Sequence, residues 1–130
     1  MVKIIIVEDD PMIAEIYLKK FSDSGFEVFP ATTAEQALGI AKVEKIDVLM
    51  TDLIMPKMDG FQLISELRNG KYDSDMKIIV ASNLSQKDDR DKAIRLGANG
   101  FVAKSEFSPS ELVAEIKKLI SNANNSENLV

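Results

Sequence analysis

The sequence predicts an α/β fold, in which a doubly wound five-stranded parallel sheet is covered by helices on both faces. Five short apolar segments alternate along the chain with five segments of helical periodicity, which is typical of strand–helix units that run in parallel. The first of these segments, Lys3–Val7, is a continuous apolar run rather than an alternating one, and this indicates a strand buried on both faces. A length of 130 residues fits one domain.

The five predicted strands are short and mostly aliphatic, and each is followed within a few residues by a helix-start or turn signal. They are Lys3–Val7, Phe26–Phe29, Ile46–Met50, Met76–Ala81 and Gly100–Ala103.

Start and stop signals predict the first two helices. Asp10 and Pro11 form an N-cap and first-turn pair, and Gly25 ends the helix that follows them. Thr33 and Gln36 have the spacing of a capping box and begin the second helix.

The remaining three helices are predicted in the same way. They are Phe61–Arg68, then Ser85–Leu96 with Ser85 as its cap, and a last helix that begins at Ser108, Pro109 and Glu111. We expect residues 1–122 to form the domain. The polar residues 123–130 are expected to be a disordered C-terminal tail.

Composition excludes several classes of function. The chain has zero His and zero Cys, which excludes Ser-His-Asp or Cys-His catalysis, disulfides and thiolate metal sites. The cysteine-free composition is compatible with a cytoplasmic protein. A net charge of −5 argues against nucleic-acid binding by this chain. No apolar run approaches the roughly 20 residues of a membrane span.

Polar side chains follow four of the predicted strands. Glu8 and Asp9 follow the first strand, Asp52 the third, Ser82 the fourth and Lys104 the fifth. Sites in parallel α/β sheets lie beyond the carboxyl ends of the strands, where the strand order reverses. We therefore expect these side chains to converge on one rim of the sheet.

This set of residues suits phosphoryl chemistry with a divalent cation. Three acids and one lysine have a formal charge of −2, which Mg²⁺, or Mn²⁺ as the alternative, would neutralise. Asp52 is the candidate nucleophile, because a carboxylate can form an acyl phosphate. Lys104 and the metal would supply positive charge, and Ser82 a neutral donor. Asp10 is interpreted as the helix cap rather than as a further ligand.

Four segments together resemble the receiver domain of two-component response regulators, over about residues 3–120. They are IIIVEDD, TDLIMPKMDG, IIVAS and GFVAKS, in the right order at the right strand ends. The resemblance, closest to single-domain regulators of chemotaxis, implies a flavodoxin-like (βα)5 fold with strand order 2-1-3-4-5. It also implies a signalling switch that takes a phosphoryl group from the phosphohistidine of a partner histidine kinase or phosphotransfer protein.

The resemblance assigns a role to each acidic residue of the rim. Asp52 would be the phosphoacceptor and a metal ligand, and Asp9 a direct metal ligand. Glu8 would act on the metal through water, and the backbone carbonyl of Ile54 would complete the protein ligands. The protein would then be a stoichiometric phosphoacceptor that assists its own phosphorylation and dephosphorylation, not an enzyme.

Other positions are assigned to the switch. By the same resemblance, Ser82 and Lys104 contact the phosphoryl group, and Phe101 is the aromatic switch residue. Ser105 stands where the family commonly has a cis proline. A cis bond before serine costs about 3–4 kcal/mol, so we predict a trans Lys104–Ser105 peptide.

The fourth helix is predicted to move. Its first turns are charged or polar, which leaves Ala93, Ile94 and Leu96 as apolar anchors, and few buried contacts mean low local stability. We expect the surface of helix 4, strand 5 and helix 5 to bind a downstream protein or a second copy. With no output domain after residue 120, the signal would pass by contact, unless the chain was cut from a longer one.

Three alternatives stay open. The chain could be a receiver-like docking module that is never phosphorylated. It could be an aspartyl-phosphate phosphohydrolase, although such an enzyme would want an acid where Ile54 stands. A flavin-binding protein of the same shape would need a Ser/Thr/Gly-rich phosphate loop, and the loop after the first strand reads EDD.

Overall fold

Strands and helices alternate along the whole chain, as predicted. The computed structural model describes residues 1–83 and 87–129, with side chains as far as residue 121. The elements are β1 Lys3–Val7, α1 Pro11–Asp23, β2 Glu27–Ala31, α2 Ala34–Val43, β3 Val48–Thr51, α3 Gly60–Asn69, β4 Lys77–Ser82, α4 Lys87–Leu96, β5 Gly100–Ala103, a 3-10 turn Lys104–Glu106 and α5 Pro109–Leu129.

The five strands form one parallel sheet in the order β2-β1-β3-β4-β5, which confirms the predicted fold and strand order. After β1 the chain builds β2 on one side and then crosses to build β3 on the other. The strand order therefore reverses between β1 and β3. The residues that follow these two strands, Glu8 and Asp52, lie at that reversal, which is where parallel sheets form their sites.

Two apolar layers cover the sheet. Successive side chains of a strand point to opposite faces, so Ile5 and Val7 pack in one layer and Ile4 and Ile6 in the other. The first layer includes buried residues of α2, α3 and α4, and the second includes buried residues of α1 and α5. Within the described part of the chain, no helix has the length and apolar character that crossing a membrane requires.

Three strands, β2, β3 and β4, differ from the prediction by one or two residues at each end. Thr51 pairs with Val7 of β1 and Val80 of β4, so β3 includes it. Ser82 pairs with Ala103 and belongs to β4. Backbone pairing with neighbouring strands, which sequence patterns do not show, decides these ends.

Helix caps follow the predicted signals with one difference. The Asp10 carboxylate accepts from two N–H groups in the first turn of α1, at 2.9 and 3.2 Å. Thr33 accepts from the N–H of Gln36, but Gln36 Oε1 accepts from the N–H of Thr32 rather than of Thr33. The predicted capping box is thus half formed. The predicted cap Ser85 lies outside the described residues.

The last helix extends into the residues of the expected tail. Backbone of α5 continues to Leu129, whereas the sequence predicted an irregular segment from residue 123. No Pro or Gly occurs between Pro109 and Leu129, so no residue there terminates the helix. The division into a domain and a tail stays a prediction.

Gly60 is expected to be essential to the loop that follows Asp52. Its N–H donates to the carbonyl of Leu53, and a Cβ at this position would lie 2.7 Å from Leu53 Cα and collide with the carbonyl of Asp52. We predict that Gly60→Ala lowers the free energy of unfolding by about 1–3 kcal/mol, because the backbone must move apart. Chemical denaturation measures this change.

Gly39 is the matched control for that substitution. It lies within α2, and a Cβ added there would meet open space, so Gly39→Ala is expected to stabilise by up to about 1 kcal/mol. Equal losses for both variants would contradict the assigned role of Gly60.

Candidate functional site

Three predicted residues meet in a charge cluster at the rim. The Lys104 ammonium forms a short ion pair with Glu8 Oε1 and lies 3.4 Å from Asp52 Oδ2. The side chains of Lys104, Glu8 and Asp52 are only 12%, 5% and 18% exposed. One largely buried cation therefore offsets two largely buried carboxylates, and the three groups have a formal charge of −1.

The Asp52 carboxylate is held in one orientation. Its Oδ1 accepts hydrogen bonds from Ser82 Oγ at 2.9 Å, from the N–H of Leu53 at 2.6 Å and from the N–H of Ile54 at 3.2 Å. Its Oδ2 faces Lys104. The two oxygens thus differ: Oδ1 is anchored by three donors, and Oδ2 is directed to the ammonium.

Glu8 is anchored from both its backbone and its side chain. Its N–H donates to the carbonyl of Ala31 at 2.9 Å, which extends the pairing between β1 and β2 by one residue. Its Oε2 accepts from the N–H of Asp10 at 3.1 Å, while Oε1 pairs with Lys104. Asp10 thus links the cluster to α1, whose cap it also forms.

Electrostatics keep the ammonium charged. Burial by itself would lower the pKa of Lys104, but the hydrogen bond to Glu8 and the charges of Glu8 and Asp52 outweigh it, so the pKa is raised above the ordinary lysine value. Lys104 is therefore a cation at neutral pH.

Asp9 takes no part in the described ion pairs of this cluster. Its side chain is exposed, and among the residues described it makes no hydrogen bond or ion pair with the other predicted site residues. In the described ranges, no three acidic side chains come close enough together to hold a metal ion. The structure thus brings together Glu8, Asp52, Ser82 and Lys104. Asp9 directly follows Glu8 in the chain, and its role as a metal ligand stays a prediction. Lys104 offsets part of the charge of Glu8 and Asp52.

The remaining predicted residues surround the cluster. Ile54 is 64% exposed beside Asp52, and Phe101 is half-buried on β5 against the first apolar layer. The Lys104–Ser105 peptide is trans, as predicted, and Ser105 lies within the 3-10 turn. The roles of the Ile54 carbonyl and of the Phe101 ring stay predictions.

Sequence reasoning missed the closeness of Tyr17 to the cluster. Helical spacing places Tyr17 on the apolar face of α1, and it is buried there, but its ring centroid lies 5.7 Å from Lys104 Nζ. That spacing indicates that the ring faces inward. The same spacing does not indicate that the ring lies close to Lys104, which follows β5.

Helix α4 is as weakly anchored as predicted, with one difference. Ala93 is its buried residue and Leu96 packs partly against the core, but Ile94 is exposed. Lys92 Nζ lies 4.3 Å from the ring centroid of Phe61 on α3. This contact between a lysine and an aromatic ring therefore supplements the small apolar contact of the helix.

One family model covers most of the chain. The family model described as the response regulator receiver domain matches residues 4–117. The chain belongs to this family. It is a receiver domain of the two-component signal-transduction type, and the residues Glu8, Asp52, Ser82 and Lys104 all lie within the matched region.

Curated relatives of this receiver domain are longer proteins. "Probable transcriptional regulator ycf27" of Porphyridium aerugineum is 37% identical over 118 residues, covering 91% of this chain and 48% of the relative. The protein of the same name from Cyanophora paradoxa is 37% identical over 123 residues, covering 95% and 50%. The chain thus spans about half the length of the curated relatives it matches.

Solved structures have the same fold. The chemotaxis response regulator CheY4 of Vibrio cholerae superposes with a TM-score of 0.84 at 25% identity, covering 92% of this chain and 98% of that one. The receiver domain of the Francisella response regulator 1452 gives a TM-score of 0.83 at 25% identity, covering 95% and 99%. The receiver fold therefore extends over nearly the whole chain.

Removing Lys104 is expected to destabilise the domain. In Lys104→Met the carboxylates of Glu8 and Asp52 lose their cation, and we predict a loss of about 1–3 kcal/mol in the free energy of unfolding without divalent ions. Because the pKa of Lys104 is raised in the folded state, this stabilisation is full below the ordinary lysine pKa. It is lost only as pH rises through the raised value.

Denaturation of the wild type and Lys104→Met at neutral pH measures the loss. Lys3→Met is the control, because Lys3 pairs with Glu44 on the surface at 3.3 Å, and such pairs contribute about 0–1 kcal/mol. If the two methionine variants are equally stable, the charge cluster does not stabilise the fold.

Proposed function

We propose that this receiver domain is a phosphorylation-dependent signalling switch in which Asp52 accepts a phosphoryl group from the phosphohistidine of a histidine kinase or phosphotransfer protein. One observation supports this most directly. Asp52 Oδ1 is held by three donors, while Oδ2 faces the Lys104 ammonium at 3.4 Å. A carboxylate fixed in this way has one oxygen available for attack and a cation beside it.

The proposed transfer is a single displacement at phosphorus, in which one bond forms and one bond breaks. Oδ2 of Asp52 attacks phosphorus and forms a P–O bond, and the P–N bond to the partner imidazole breaks. The imidazole nitrogen keeps the electron pair of that bond. Lys104 would stabilise negative charge on the phosphoryl oxygens, and the Ser82 hydroxyl, which donates to Asp52 Oδ1 at 2.9 Å, would donate to one of them. The domain changes state once per transfer and is not an enzyme that turns over.

Mg²⁺, with Mn²⁺ as the alternative, is part of the proposal. The donor set suits a hard cation, because Glu8 and Asp52 present carboxylate oxygens at the rim and Asp9 is the next residue after Glu8. Asp9, Asp52 and the carbonyl of Ile54 would hold the ion directly, and Glu8 through water. The ion supplies positive charge to the phosphoryl oxygens. Without it, Lys104 neutralises Glu8, so the ion and the lysine compensate the same carboxylates.

We propose that the output surface is formed by α4, β5 and α5. A groove of about 270 Å³ lies there, and its lining includes Arg90, Phe101 and Phe107. Its α4 side is weakly anchored, so phosphorylation of Asp52 can shift the population between two packings of this segment. A downstream protein or a second copy would bind the favoured packing.

We also propose the process that the switch controls and its cellular location. The longer ycf27 relatives are named transcriptional regulators, so the output is proposed to act on gene expression through another domain or protein. A cytoplasmic location, where histidine kinases present their phosphohistidines, belongs to the same proposal.

The alternatives fit the site less well. In a docking module that is never phosphorylated, the partly buried Asp52, Ser82 and Lys104 would only stabilise the fold, and the orientation of Asp52 Oδ2 toward Lys104 would have no further role. A phosphohydrolase would need an acid at position 54, and Ile54 cannot transfer a proton. A flavin phosphate would meet the carboxylates of Glu8 and Asp9 after β1.

Phosphorylation of Asp52 is tested by intact mass. After incubation with Mg²⁺ and acetyl phosphate, the wild type is expected to gain the mass of one phosphoryl group, and Asp52→Asn none, because an amide oxygen is a far weaker nucleophile. Asp47→Asn is the control at the opposite end of β3 and is expected to be labelled fully. Labelling of Asp52→Asn at the wild-type rate would refute the assignment.

The metal ligand is tested on two neighbouring acids. Asp9→Asn and Asp10→Asn each remove one charge, but Asn can still cap α1 at position 10. We predict that Mg²⁺ raises the melting temperature of the wild type and of Asp10→Asn. Asp9→Asn is expected to bind Mg²⁺ at least about tenfold more weakly, since even indirect partners of a metal contribute that much. Equal Mg²⁺ affinities in both variants would remove Asp9 from the ligand set.

A further inference from the structure

Tyr17 is one of two residues of α1 that are buried against the sheet; the other is Phe21. Both pack in the second apolar layer, and Tyr17 is 7% exposed. A tyrosine in a core position needs an environment for its polar end, because its hydroxyl is costly to bury in a purely apolar one. The surroundings of that end therefore indicate what the residue does.

The polar end of Tyr17 lies in the field of the charge cluster. Side chains of a helix lean toward its N-terminus, and the N-terminus of α1 is joined to Glu8 through Asp10. The ring centroid lies 5.7 Å from Lys104 Nζ, within the range of a cation–π contact. The ring thus reaches from α1 to a lysine that follows β5.

The Lys104 ammonium lies close to two carboxylates and to the Tyr17 ring. Glu8 approaches it from the end of β1 and Asp52 from the end of β3. The lysine stem is a flexible four-carbon chain, so ion pairs to carboxylates in two different loops leave it freedom to follow either one. A ring fixed in the core limits that freedom.

We propose that Tyr17 is a positioning residue for Lys104: its buried ring holds the ammonium between Glu8 and Asp52, so that the charge is already in place when a phosphoryl group arrives. The inference rests on the proposed function, since it concerns the same transfer to Asp52. Pre-positioned charge raises the rate of transfer, because no group has to reorganise during the reaction.

The electrostatics of Tyr17 support this position. Burial raises the pKa of its hydroxyl, Lys104 opposes that rise, and Glu8 and Asp52 add to it. The hydroxyl therefore stays neutral at physiological pH, and the ring offers Lys104 its electron-rich face without a third negative charge.

The test measures the rate constant of labelling by acetyl phosphate and Mg²⁺, followed by intact mass. Tyr17→Leu removes the ring, and Tyr17→Phe keeps it. Phe21→Leu is the matched control, because it removes a ring from the same helix and the same apolar layer. Should Tyr17→Leu not fold, Tyr17→Met replaces it, since methionine fills irregular core space without a ring.

We expect Tyr17→Leu to be labelled about two- to tenfold more slowly than the wild type, as the loss of a cation–π contact predicts. Tyr17→Phe should recover most of the rate, and Phe21→Leu should lose none beyond its unfolded fraction. A Tyr17→Leu rate equal to the wild type, or losses equal in Tyr17→Leu and Phe21→Leu, would overturn the inference.

A second readout does not depend on phosphorylation. In a double-mutant cycle on the unfolding equilibrium constant, Tyr17→Leu and Lys104→Met should be coupled by about two- to fivefold, and Phe21→Leu with Lys104→Met should not be coupled. If the wild type is not labelled at all, the proposed function fails. The cycle then still decides whether Tyr17 holds Lys104, and absence of coupling there would refute the contact.

Discussion

The ion pairs of Lys104 with Glu8 and Asp52 are the interaction on which the rim depends. Two carboxylates from different strand ends lie side by side there with little exposure to water, and without a cation their repulsion and desolvation would both oppose folding. Parallel strands in the order β2-β1-β3-β4-β5 bring the ends of β1 and β3 next to each other and bring the end of β5 to the same rim. The strand order thus places two carboxylates side by side, and it also places beside them the lysine that offsets part of their charge.

The same arrangement bears on how the charges of the cluster would be redistributed when a divalent cation binds. Lys104 compensates Glu8 and Asp52 within the chain alone, while Asp9 remains exposed beside them. A divalent cation at this rim would take over part of that compensation, and the charge of Lys104, which stays in place, would then be available to a phosphoryl group in the proposed transfer. In this view the lysine stabilises the resting protein and then serves the transfer with the same ammonium.

In the proposed switch, β4 and β5 connect the site to the output surface. Ser82, at the end of β4, bonds Asp52 and pairs with Ala103, the residue before Lys104. A change in the charge of Asp52 therefore acts on the ends of both strands that flank α4. Ala93 is the buried residue of α4, so few buried contacts hold this helix and we expect low local stability there.

The sequence by itself determined the elements, their order and most of the site. Continuous apolar runs such as Lys3–Val7, caps such as Asp10 and the polar residues at strand ends are local signals, and each acts within a turn or a strand of its own position. The tertiary structure decided which residues from distant parts of the chain contact each other, because local signals do not encode such contacts. Glu8 and Lys104 are 96 residues apart, and only packing of the whole sheet makes them partners. Packing also leaves Asp9 exposed and carries the Tyr17 ring to the ammonium, because a side chain's neighbours across elements depend on how helices and strands are stacked rather than on its own sequence context.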